Sequence, residues 1–577
     1  MSSLSDYSPQ FAVPSLRQGF DSLSIEQKYA FAKFARGENV FITGPGGTGK
    51  TRLIQFMVEY MNSIGKPHQV CALTGCAATL LNCKAKTIHS WSGVRLAKGP
   101  SADIIQRVIR NRCHIKAWRG VEVLIVDEVS MMSSKLFNLL DQIGRATRRL
   151  SVKPFGGIQL VFTGDFFQLP PIPDQDDPTS GEFCFQNPNW QKTFRLEDCI
   201  ELKTFFRQTD PAYISILQEV RRGTISTSNI ELLQTRMTRG VATEPKNGVM
   251  PTKLFPVRAK VDAINGSSYV KLEGEERTYQ FAVTTNAKIH IDNGTTLSAD
   301  ELEHCDELSP SQLSTEVDNL VASLFTEKTI RLKIGALVMC TANIDVERGI
   351  CNGSQGIVVG YSDSSTAGLP DELTRKNITS TTTTIMVPVV RFTNGMTIKV
   401  APHQRQSEEY PCVVVSQIPL CLAWALTIHK IQGATLDMAE MDIGQSIFAP
   451  GQSYVALSRV KTLEGLYLSA FNSTKIKANP LVVEFYNSFP QIGEEETQTR
   501  TVAILSRVVT SSTKTTEQKQ SNMKMFTSNP FAGFAYKPSN SYTGTPSSIL
   551  EKVSDESSVT EKDLREPTTK TIKLSKY

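Results

Sequence analysis

Cysteine pairs are missing from this chain: its 11 cysteines include no Cys-x-x-Cys and follow no regular spacing over 577 residues. That argues against a zinc ribbon or a disulfide framework, and for reduced, buried thiols in an intracellular compartment. Apolar runs of membrane-spanning length are also lacking, so no membrane association is expected. The opening segment, MSSLSDYSPQFAVPSLRQGF, holds neither the apolar stretch of a secretory signal nor an Arg-rich amphipathic helix, and Asp6 and Asp21 count against a mitochondrial presequence. A strong charge of either sign is absent too. The net charge of +5 favours an anionic partner without requiring one.

What the chain does have is length, with 40% hydrophobic residues, which is too much for one core and implies about three or four domains. Residues 1–21 read as a flexible leader. From residue 22 to 198, the runs NVFIT, HQVCAL, VEVLIVDEV and IQLVFTGD alternate with helical stretches, the signature of a parallel α/β sheet. Residues 199–257 continue as helix. Between 330 and 418, GALVMC, GIVVGY, TIMVPVVRF, MTIKV and CVVVS, separated by Asn-Gly and other turn signals, predict a small β-barrel. The α/β pattern then returns over 419–480. From 492 to 577 the composition turns to Ser, Thr, Lys and Glu with few aliphatics, and a disordered tail is expected.

The densest chemistry lies at 44–51, GPGGTGKT, between an apolar strand and the amphipathic run LIQFMVEYM. Gly44, Pro45, Gly46, Gly47, Thr48 and Gly49 form a loop whose N–H groups, with the following helix N-terminus, point at one anion. Lys50 adds a point charge and Thr51 a hydroxyl for Mg2+. Downstream, LIVDEVSMM ends a strand with Asp127 and Glu128. The first suits a metal and the second the polarisation of an attacking water, because one carboxylate cannot do both. A third strand ends in Gly164-Asp165 and then Gln168, whose amide can sense a γ-phosphate or its water. Upstream, Gln27 offers the paired donor and acceptor that the adenine edge requires. Arg207 in LKTFFRQTD and Arg459 in SYVALSRVKT are candidates for cationic fingers, worth about a thousandfold or more in turnover.

The order LSIEQ, GPGGTGKT, LTGCAAT, KTIHSWSGV, VDEVSMM, FGGIQLVFTGDFFQLPP, FFRQTD, WALTIHKIQGATLD and YVALSR resembles the PIF family of DNA helicases over about residues 22–473. These are superfamily one enzymes of 5′-to-3′ polarity. The resemblance implies an α/β fold with two RecA-like domains, 22–198 and 199–329 plus 419–480, and ATP in the cleft between them. It also implies a wedge near 90–115 and an SH3-like barrel over 330–418. Thr74, Gly75, His89, Ser90, Thr427, His429, Lys430 and Gln432 fall in motifs that in relatives touch single-stranded DNA or couple it to ATP. Ala85 departs from the family, which commonly has Gly there. Trp91 and Trp424 could stack bases, but an aromatic beside a strand end is usually core, which is the expected role.

The implied activity is ATP-dependent unwinding, DNA-stimulated, in replication, recombination, repair and telomere maintenance. Forked and single-stranded DNA are the expected partners, with G-quadruplexes and RNA–DNA hybrids left open. A nucleus-directed protein is expected, with the mitochondrion as alternative, and a monomer, with oligomers left open. A nucleotide-switched clamp that binds DNA without moving is the competing class. In the tail, Gln520, Met523 and Phe526 have the spacing of a sliding-clamp peptide, although Thr527 replaces the second aromatic.

Overall fold

The computed structural model describes residues 14–505 except 82, 96, 98, 174–176, 239–247, 292–293, 324–326, 346–347, 364–385, 408–409 and 491–492. The sliding-clamp-like spacing at 520–526 and the tail after 505 lie outside the described residues. A first, six-stranded parallel sheet is built from β1 (Val40–Thr43), β2 (His68–Ala72), β3 (Lys86–Thr87), β4 (Val123–Asp127), β5 (Gln159–Thr163) and β6 (Cys199–Glu201). Its order is β3-β2-β4-β5-β1-β6. Strands buried on both faces read as unbroken apolar runs, as VFIT and VLIVD do. Val40 and Ile42 face one core while Phe41 faces the other, the period of two that a pleated strand imposes.

The first core is closed by α1 (Pro14–Asp21), α2 (Ile25–Ala35) and α3 (Lys50–Ser63). The flexible leader expected over 1–21 is therefore corrected from Pro14 onward. Leu16 and Phe20, one helical turn apart, are buried against α3, and each such side chain contributes about 1.5–3 kcal/mol. The disordered tail expected from 492 is likewise corrected, because 494–505 is helical and Ile504 and Leu505 enter the same core. Short apolar stripes inside polar sequence carry both corrections. The start of the second domain at 199 is corrected as well: β6 pairs with β1, Ile200 lying opposite Ile42, so the first sheet ends at Glu201.

A second parallel sheet of four strands centres on β7 (Thr252–Phe255), flanked by Ala425–Thr427 and Ala439–Ile443, with Leu466–Phe471 outermost. The chain between 277 and 422 is an antiparallel insertion. Its five-stranded sheet contains Leu337–Cys340, Gln355–Asp363, Met386–Phe392, Thr397–Lys399 and Leu420–Leu422. Arg277–Gln280 pairs with Thr329–Leu332, and Tyr279 shares a core with Ile330 and Val390. The β-rich segment thus begins before the expected residue 330 and ends after 418. The helices Ala299–Asp306 and Pro310–Ser323 belong to its surroundings, with Leu320 and Val321 packed on Tyr410 and Val413. The extended core behind β4 and β5 runs on into the second sheet, including Leu254, Met441 and Val455.

Candidate nucleotide site and nucleic-acid face

The phosphate-loop sequence leaves β1 between β5 and β6 and enters α3 at Lys50, with Gly49 as the left-handed cap (φ 80°). Gly47 is also left-handed (φ 95°), and a Cβ there would sit 2.6 Å from Gln208 Oε1 and 2.8 Å from Arg207 Cβ. Only glycine admits both that conformation and that approach. Gln27 lies under the loop, 1% exposed. Its Nε2 donates to the carbonyls of Thr48 (3.2 Å) and Gly49 (3.3 Å), while Oε1 accepts from Ser24 N–H at 2.9 Å in a capping box. Its amide braces the loop. Lys50 Nζ donates to Gly44 O (2.7 Å) and Pro45 O (3.1 Å). Burial lowers its pKa, against the pull of Asp165, Glu128 and Asp127. Thr51 stands exposed in the first turn of α3.

Asp127 ends β4, and its Oδ1 accepts from Thr163 Oγ1 at the end of β5 and from Glu128 N–H. Glu128 holds φ 57°, a conformation uncommon for a side-chain-bearing residue and one that costs free energy of order 1–3 kcal/mol. Burial raises the pKa of both carboxyls, and each lies in the field of Lys50. Glu128 Oε2 accepts from Gln432 Nε2 at 3.4 Å, and the same Nε2 lies 3.5 Å from Gln168 Oε1. Gln432 falls in a motif that in relatives touches DNA or couples it to ATP. Its side chain lies in the cleft rather than on the DNA face, bridging Glu128 and Gln168, because the turn after Ile431 faces the first sheet.

Both candidate arginines reach the loop from the chain beyond β6. Arg459 is 2% exposed and donates to Val455 O (2.9 Å), Ala434 O (3.3 Å) and Ser458 Oγ (2.7 Å). A Cβ on Gly46 would lie 3.6 Å from its Nη2. Arg207 N–H donates to Gly47 O at 3.3 Å, and burial together with the nearby Arg459 pushes its pKa down to about 10. Two guanidiniums and an ammonium, each disfavoured by burial and Arg207 also by Arg459, around a loop of N–H groups make a site that an anion would relieve.

Four residues of this site have no role assigned from the sequence, although Asp165 stands in the run after the third strand. Tyr454 accepts from Gly46 N–H at 3.0 Å and donates to Asp165 Oδ2 at 3.1 Å. Asp165 is fully buried and ion-paired with Arg221 at 3.0 Å. Gln208 Nε2 donates to Val460 O at 3.4 Å, leaving its buried Oε1 without a hydrogen-bond partner beside Gly47. Gln208 follows Arg207, which was the available signal. Tyr454 heads the YVALSR run that ends in Arg459, which was its signal, whereas Arg221 carries none, since only folding brings it to Asp165.

On the other face, Thr74 caps the helix Gly75–Leu81 by accepting from Ala77 N–H (3.2 Å). Thr87 caps Ile88–Trp91, which carries His89 and Ser90. Thr427 ends the strand Ala425–Thr427 and accepts from Lys430 N–H (3.2 Å). A Cβ on Gly433 would touch Leu80 Cδ1 at 3.3 Å, so the two motif groups adjoin. Burial pushes the His89 imidazole down to about 4 and lowers that of His429. Both are thus neutral near pH 7. Trp91 is core, as an aromatic beside a strand end usually is, with its ring 4.7 Å from that of Trp118. The left-handed residue near Ala85 is Lys84 (φ 55°), so alanine in place of glycine carries no strain there.

The family model of PIF1-like helicases matches residues 22–231, and that of the DNA helicase Pif1 2B domain matches 317–361. The chain is 33% identical over 468 residues to ATP-dependent DNA helicase PIF1 of Xenopus laevis, covering 81% of this chain and 64% of that protein. With the human protein of the same name it is 32% identical over 484 residues, 83% and 66% of the two lengths. It thus spans a little under two thirds of these curated relatives. Among solved structures, Pif1 helicase from Candida albicans matches with 32% identity and a TM-score of 0.62, over 81% of this chain and 99% of that one. Unliganded Pif1 from Bacteroides sp matches at 26% identity with a TM-score of 0.60, over 82% and 98%. These neighbours share its RecA-like α/β fold. A loop, a carboxylate pair and an arginine gathered from positions 44 to 459, on a fold shared with those proteins over nearly their whole length, leave one assignment: the chain belongs to the PIF1-like helicase family.

Proposed function

We propose that this protein is an ATP-dependent DNA helicase that moves 5′-to-3′ along single-stranded DNA and separates the duplex at forks. The observation that carries the reading is the approach of Arg459, from the second lobe, to the Gly46 turn of the first. Support comes from a Bacteroides sp Pif1 in complex with ADP-AlF4 (26% identity, TM-score 0.59) and from a structure described as two coordinating Pif1 helicases unwinding forked dsDNA (27%, 0.52). In this reading the loop from Gly44 to Thr51 binds the ATP phosphates, Glu128 orients the water, Gln168 and Gln432 report on it, and Arg207 and Arg459 neutralise the transferring phosphoryl group. Gln27 braces the loop from beneath the adenine end. Thr51 and Asp127 fit Mg2+, since one hydroxyl and one carboxylate beside phosphates suit an ion that keeps several waters. When bound, the ion neutralises phosphate charge.

Thr74, Gly75, His89, Ser90, Thr427, His429 and Lys430 form the sequence-tolerant contact with DNA phosphates. The insertion acts as the SH3-like element, and residues near 90–115 as the wedge. Breaking one base-pair step costs about 1.4 kcal/mol, so one step per ATP is energetically undemanding. We further propose a nuclear protein acting in replication, recombination, repair and telomere maintenance, with the mitochondrion as alternative site. A nucleotide-switched clamp has no use for an arginine delivered from the second lobe.

Forks with 5′ or 3′ single-stranded arms test activity and polarity together. Unwinding only of the 5′-armed fork, lost in Lys50→Ala, is expected. Binding without strand separation would leave the clamp. Gly47→Ala is expected to weaken binding of a fluorescent ATP analogue by about tenfold or more, because the added methyl meets Gln208 and Arg207 in a left-handed turn. An unchanged dissociation constant would mean that the nucleotide does not use this loop.

A further inference from the structure

We propose that Tyr454 competes with the nucleotide for the phosphate loop, holding the Gly46 amide in the free enzyme and yielding it when a phosphate arrives; this rests on the nucleotide site proposed above. The phenol is 1% exposed and sits on the helix Gln452–Leu457, seven residues before Lys461 and five before Arg459. Its hydroxyl has two partners of opposite kind. Asp165 Oδ2, 3.1 Å away, belongs to a carboxylate that also meets Arg221 and so remains an acceptor. The phenolic proton therefore points at Asp165, and the oxygen lone pairs are left for Gly46 N–H at 3.0 Å. Burial and the Asp165 charge raise the Tyr454 pKa, so the hydroxyl keeps its proton.

In the nucleotide site proposed above, Gly46 N–H is one of the loop donors that a bound phosphate takes up. A neutral phenol is a weaker acceptor than a charged phosphate oxygen, so the exchange favours phosphate. Losing Gly46 leaves Tyr454 tied only to Asp165, and its helix carries Val455, whose carbonyl accepts from Arg459 Nε at 2.9 Å. Phosphate arrival is thereby reported along one helical turn to the arginine.

Titration of a fluorescent ATP analogue without DNA tests this. Tyr454→Phe leaves Gly46 N–H without its acceptor in the free protein, and nucleotide affinity is expected to rise by about three- to tenfold, the span of one neutral hydrogen bond. Tyr486→Phe removes another hydroxyl from Asp165, 3.4 Å away, together with its bonds to Thr43 Oγ1 and Phe166 N–H but without touching Gly46, and is expected to bring no comparable tightening. Unchanged or weaker binding by Tyr454→Phe overturns the proposal, as does equal tightening by Tyr486→Phe. Should Tyr454→Phe fail to fold, 3-fluorotyrosine at 454, nearly isosteric and a poorer acceptor, is expected to tighten binding by a smaller factor, and no tightening overturns the proposal. Wild-type protein that binds no nucleotide would instead overturn the functional reading itself.

Discussion

Arg459→Lys is expected to lower DNA-stimulated ATP turnover by about a thousandfold, the lower end of what arginine fingers contribute. Arg459 has its guanidinium fixed by Val455 O at Nε, Ala434 O at Nη1 and Ser458 Oγ at Nη2, and that same Nη2, with a second proton to give, lies beside the Gly46 turn. Lysine retains the charge, but three donors on a rotating ammonium cannot reproduce a planar fork anchored through all three nitrogens with one edge against the loop. Because the arginine acts on charge that develops during transfer, the nucleotide dissociation constant should change far less than kcat. Steady-state ATPase assays alongside analogue titration separate the two. A kcat within tenfold of wild type would remove Arg459 from the reaction and, with it, the strongest argument for coupled lobes.

Arg221→Met is expected to lower stability by about 3–5 kcal/mol, read as a shift of the urea midpoint. Arg221 meets Asp165 through Nε and Nη2 at 3.0–3.2 Å and Glu201 through Nη1 at 2.6 Å, and its guanidinium lies over the rings of Phe167 and Tyr486. Methionine keeps the stacking volume but leaves the Asp165 carboxylate buried without its cation. The cost belongs to that uncompensated charge more than to the lost contact. Arg221→Met combined with Asp165→Asn should therefore recover part of the loss. A single variant within about 1 kcal/mol of wild type, or a double variant worse than the single, would show that Tyr454, Tyr486 and the Phe167 N–H satisfy Asp165 without the cation.

The two experiments probe what was differently legible. Lys50, Asp127, Glu128 and Gln168 could be read because each lies at the end of an apolar strand or in the few residues that follow one, and parallel strands bring their carboxyl ends to one edge. For Gln432 the motif left open whether it touches DNA or couples it to ATP, and only the packing of its turn brings the side chain to Glu128 and Gln168. The leader and the tail misled for a different reason: polar composition outvoted short stripes such as Leu16/Phe20 and Ile504/Leu505, which gain burial only once a neighbouring core exists.

By itself, then, the order of residues determined the anion-binding turn, the carboxylates and their family, because contiguous backbone geometry and strand burial are local properties. Tertiary structure alone decided that Thr252–Phe255 pairs with a strand some 170 residues later, that Tyr454 closes on Gly46, and that Asp165 shares its charge with Arg221. Those contacts depend on which surfaces meet when two sheets bury one continuous core, and no spacing along the chain encodes that meeting.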